Sequence, residues 1–127
     1  MNISDLVSLK SEHLSLEGKL TSVILSETGG TITAKGDASR YGTAFLTYNL
    51  TANPKVSGQG IMTGIASAID DEGALANAAL NGVYDRNGHE IKIYCMDDLT
   101  DGAINLAVVT MNLKTDDFRI DWAEIDR

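Results

Sequence analysis

GQGIMTGIASAI (58–69), ALANAALNGVY (74–84), HEIKIYCM (89–96) and AINLAVVTMNLK (103–114) are apolar or β-branched runs, parted by DDEG (70–73), DRNG (85–88) and TDG (100–102). A last run, 117–125, follows Thr115-Asp116-Asp117. Asp and Asn start turns by bonding nearby backbone amides, and the Gly that follows accepts a positive φ at no steric cost. Turn signals at roughly regular spacing between such runs read as an antiparallel meander. Upstream, Lys19–Ser26, Thr31–Lys35 and Tyr41–Ala52 add three more strands, with turns at Thr28-Gly29-Gly30 and Gly36–Arg40. Pro54 cannot donate to a sheet ladder, so Asn53-Pro54-Lys55 is a connection. The expected fold is all-β: one up-and-down antiparallel meander closing into a small barrel of about eight strands. It makes a single domain over 1–127, with the barrel at 18–125 and an N-terminal arm or short helix at 1–17.

One segment carries a competing signal. Asp70-Asp71-Glu72 precedes Ala74–Leu80, and Asn81-Gly82 follows, which is acid at a helix start, good helix formers inside and Gly at the end. A strand over 74–84 is preferred, because it turns Asp-Asp-Glu-Gly into a hairpin consistent with the turns after it. Alanines at alternate positions also suit the crowded interior of a small barrel.

The chain has 127 residues and a net charge of −8, from 18 acids against 10 bases. An acidic surface disfavours phosphate backbones and anionic headgroups, so neither nucleic acid nor membrane is an expected partner. No apolar window approaches the roughly 20 residues of a membrane span, and no signal peptide is visible at the N-terminus. A lone cysteine, Cys95, fits a reducing compartment, and a cytoplasmic location is expected.

No catalytic signature emerges, and catalytic residues are left unassigned. His13 and His89 stand apart, with no His-x-x-x-His or Cys-x-x-Cys, so no metal and no cofactor is expected. Asp97-Asp98, Asp101, Asp116-Asp117 and Asp121 are mostly turn residues, and Asp97-x-x-x-Asp101-Gly102 lacks the alternating ligands of a calcium loop. Gly58-x-Gly60-x-x-x-Gly64 matches no phosphate-binding fingerprint; glycines there relieve strand crowding. Cys95 reads as a buried small apolar residue. Phe118, Ile120 and Trp122 alternate with Arg119 and Asp121 and share one buried face. Run 103–114 is apolar on both faces, which points to a covered outer side and hence to a homo-oligomer, or else to a cover by residues 1–17.

The segments Gly58-Gln-Gly-Ile-Met-Thr-Gly64, Asp71-Glu-Gly73, Leu80-Asn-Gly-Val-Tyr-Asp-Arg-Asn-Gly88 and Asp97-Asp-Leu-Thr-Asp-Gly102 resemble the meander of small bacterial proteins in the allene oxide cyclase-like barrel group. The resemblance covers about residues 42–125 and rests on turn glycines and strand spacing. It implies an eight-stranded barrel with a lumen near one mouth. In relatives that lumen binds hydrophobic small molecules, and in some it promotes cyclisation by confinement. No residue here matches a catalytic position of that group.

The functional expectation is a barrel that takes an apolar or amphipathic small molecule in its lumen, with any cyclase or isomerase activity coming from confinement. Tyr48, Met62, Ala66, Tyr84 and Trp122 are the expected ligand-binding residues. The alternative is a structural or interaction protein whose lumen is filled by its own side chains.

Overall fold

In the computed structural model, which describes residues 1–127 apart from the side chain of Arg40, eight antiparallel strands pair in chain order and the last closes onto the first. They are β1 (Ser8–Ser26), β2 (Gly29–Asp37), β3 (Thr43–Ala52), β4 (Gln59–Ile69), β5 (Leu75–Asn87), β6 (Glu90–Leu99), β7 (Ile104–Asn112) and β8 (Asp117–Asp126). A four-residue helix, Ile3–Leu6, precedes them, and a 3-10 turn, Ser39–Tyr41, links β2 to β3. None of the described helices is long and apolar enough to cross a membrane.

The 75–87 segment is a strand and not a helix. Its alternation decides this: Leu80 and Tyr84 are buried, while Ala79, Asn81, Val83 and Asp85 are exposed, a period of two. The acids ahead of it form the turn. Asp70 Oδ1 accepts from the amides of Glu72 and Ala74, both at 2.9 Å, and Gly73 sits at φ +82°.

The start of the barrel needs correction. β1 begins at Ser8, so residues 8–17 belong to a strand and not to an arm. This stretch is hard to read because only Leu16 is fully buried in it, with Leu14 half-buried, and because pairing with β8 is irregular between Leu9 and His13. Residues 1–7 do not cover β7: Ile3 and Leu6 are 73% and 64% exposed.

Inward side chains divide the interior in two. Toward the end carrying the 27–28, 53–58, 88–89 and 113–116 connections, Leu50, Met62, Tyr84, Ile91, Met111 and Phe118 pack it solid. Toward the other end, β3, β4 and β5 turn in Ala44, Ala66, Ala68, Ala76 and Ala78. Eight strands enclose just enough room for ordinary side chains, so a wall of alanines leaves space unfilled. Gly64 lets β3 and β4 approach beside Tyr48; a Cβ there would stand 2.1 Å from the Thr47 carbonyl oxygen.

Candidate functional site

The unfilled space is a cavity of about 100 Å³ opening at the alanine-lined end. Its walls are Leu16, Leu46, Leu80, Ala107, Val109 and Ile120 beside those alanines, with Tyr41, Leu99 and Trp122 also on its lining. Tyr48 marks the boundary between hollow and solid. It lines the cavity, and its ring lies 6.0 Å from that of Phe118 in the packed half.

Four polar groups break this apolar lining. The Tyr48 hydroxyl is fully buried, in a residue only 1% exposed, and has no hydrogen-bond partner among the described residues. Cys95 and Asp97 project inward from β6, and the Cys95 thiol donates to Asp97 Oδ1 at 3.4 Å. Asn105, the one buried polar residue in the described core, enters from β7 directly opposite Asp97. Pairing places Tyr48, Gly64, Leu80, Asp97 and Asn105 in one inward-facing row across five strands.

Electrostatics follow from burial. Desolvation lifts the Asp97 carboxyl to about 6, against the lowering pull of the thiol hydrogen bond. Desolvation raises the Cys95 thiol well above its ordinary value, and the neighbouring Asp97 adds to the rise. The Tyr48 phenol moves up for the same first reason, with Cys95 and Asp97 contributing. At neutral pH the cluster therefore holds a phenol and a thiol, both protonated, beside a mostly ionised carboxylate. An orphan buried hydroxyl costs about 1–3 kcal/mol, so Tyr48 is kept at a real expense to the fold.

The five residues singled out from the sequence are not all brought together. Tyr48, Ala66 and Trp122 line the cavity. Met62 is 1% exposed in the packed half. Tyr84 lies at the closed end, beside a separate surface hollow that includes Leu25, Val56 and Arg86. Asp97 and Asn105 were missed. Their signal was parity: Ile91, Ile93 and Cys95 face inward, so Asp97 must as well, and Asn105 shares the face of Ala107, Val109 and Met111. His13 and His89 are exposed and away from the cavity. Among the described residues no group of three His, Cys, Asp or Glu side chains could hold a metal ion.

No protein-family model, curated protein or solved structure matches this chain.

Proposed function

We propose that this barrel binds a small amphipathic molecule, its apolar body against the alanine wall and a neutral oxygen at the Tyr48 hydroxyl. The observation that carries this reading is the unpartnered, fully buried Tyr48 hydroxyl at a cavity that opens at one end of the barrel. Small-molecule sites are typically apolar concavities with a few convergent polar groups, and this one has that composition. The phenol is a donor in search of an acceptor. A carbonyl, ether or epoxide oxygen supplies one, whereas a carboxylate would meet the nearby Asp97 charge. About 100 Å³ is less than the roughly 150 Å³ that takes benzene, so the enclosed part of the ligand is small and any longer chain leaves through the mouth. Promotion of a cyclisation by confinement, the activity the allene oxide cyclase-like resemblance implies, is compatible with this site and needs no strong nucleophile.

The test is titration with the neutral fluorescent probe N-phenyl-1-naphthylamine, followed by displacement with 2-heptanone and with heptanoate at pH 7.5. Wild-type protein should bind the probe, and the ketone should displace it at least tenfold more effectively than the carboxylate. A folded Ala66→Phe variant should not bind. Failure of the wild type to bind either probe or ketone, measured directly by calorimetry, would leave the packed structural barrel as the better account.

A further inference from the structure

The charges of this chain are not spread evenly around the barrel. Outward residues of β3 are Thr43, Phe45, Thr47, Asn49 and Thr51; those of β4 are Gln59, Ile61, Thr63, Ile65, Ser67 and Ile69. On β5 and β7 only Asp85 among the outward residues is charged. The ionic groups gather on the far side, where β8 meets β1: Lys10–Glu124, Lys19–Asp117 and the Arg119 pairs with Glu17 and Asp121.

The neutral side is also apolar. Ile61, Val83, Tyr94 and Val108 stand directly opposite one another in a single row across β4, β5, β6 and β7. Ile61, Val83 and Tyr94 are 57%, 46% and 51% exposed, and Ile65, Met96 and Leu106 flank them, also exposed. With Ile69 and Leu75 these side chains leave several hundred Å² of apolar surface in water, at or above the roughly 300–600 Å² of the largest patch on a typical monomer. It approaches the roughly 800 Å² that each partner contributes to a standard stable interface. Absent charges with Tyr, Met and Ile retained is the composition of an interface centre.

From this we infer that the β4–β7 face is the contact between two copies of the chain, related by a two-fold axis. Charge selects the occupant. A chain of net charge −8 repels its own copy everywhere except through a face that carries almost no acid. This face is that one, and back-to-back pairing sends both β8–β1 sides outward. A basic partner would be drawn to the acidic surface instead. The patch lies on the barrel's side, so the mouth of the cavity stays open in the pair.

Sedimentation equilibrium across about 1–100 μM should report twice the chain mass at the upper end. Tyr94→Glu and Val83→Glu, both exposed and outward, should each weaken association at least tenfold, while Ser22→Glu on the opposite wall should leave it unchanged. Raising salt from 50 to 500 mM should tighten the pair, because screening removes self-repulsion and spares apolar contact. Circular dichroism confirms that each variant keeps the barrel. A monomer at 100 μM in both salts, or a dimer that survives both glutamates, would overturn the assignment.

Discussion

The Cys95 thiol points at the Asp97 carboxylate, 3.4 Å away on the same inward face of β6, so the one cysteine and a lumen acid share a hydrogen bond. The bond favours the ionised acid, yet burial dominates and the carboxyl rises to about 6. The folded state therefore binds this proton more tightly than the unfolded chain, whose carboxyl titrates near its ordinary value. Asp97 does not weaken the fold below about pH 4, where it is protonated in both states. The penalty grows as pH rises from about 4 to 6, and it is fully present above.

Asp97→Asn keeps an acceptor for the thiol and removes the charge. At pH 7.5 the variant should be more stable than wild type by about 1–3 kcal/mol, the upper end corresponding to two pKa units. The difference should vanish near pH 4. Urea denaturation at both values measures it, and a gain that is the same at pH 4 and 7.5 would show that the charge is not its source.

Tyr48→Phe removes the orphan hydroxyl and keeps the ring packed on Phe118. Because no partner is left behind, stability should be unchanged or should rise by about 1 kcal/mol. Preference for 2-heptanone over an alkane of equal length should fall several-fold. A large loss of stability would mean that the hydroxyl already has a partner, such as an ordered water.

The barrel was legible because its devices are local. Asp70 and Gly73 write a turn in four letters, and alternation in 75–87 separates strand from helix once the period is counted. The first strand was not, because Ser8–Ser15 turns no fully buried side chain inward and its pairing with β8 joins opposite ends of the chain. The site was half legible for a related reason. Ala66 and Trp122 follow from parity, and parity also reaches Asp97 and Asn105. Asp, however, is read first as a turn former, and Asp97-Asp98 adjoins a real turn at 100–102. What no local pattern shows is which half of the lumen is full: Met62 and Ala66 share a face of β4, and only their neighbours across the barrel put one in the packed half and the other on the cavity.

Gly64→Ala tests the close approach of β3 and β4 beside the cavity. The added carbon would meet backbone at the Thr47 carbonyl and Tyr48 Cα, neither of which can rotate away. Destabilisation of about 3 kcal/mol or more is expected, in the range reserved for strain and overpacking. Gly88→Ala is the comparison. Nothing lies within 4 Å of a Cβ there, so its cost is confined to backbone conformation at φ +63° and should be about 1 kcal/mol. Equal losses at the two glycines would show that β3 and β4 have room to part.

Cys95 offers a last check on how closed the inner lumen is. Its residue is 3% exposed, and burial together with Asp97 pushes the thiol well above its ordinary range, so almost no thiolate exists at pH 8. The thiolate is the reacting form, and each unit of rise removes tenfold of it. Reaction with N-ethylmaleimide should be at least about 100-fold slower in the native protein than in 6 M urea, since modification must wait for local opening. Asp97→Asn should speed it, because the neighbouring negative charge that disfavours the thiolate is gone. A native rate equal to that of the unfolded chain would place Cys95 in open water and remove the dry, apolar lumen on which the ligand assignment depends.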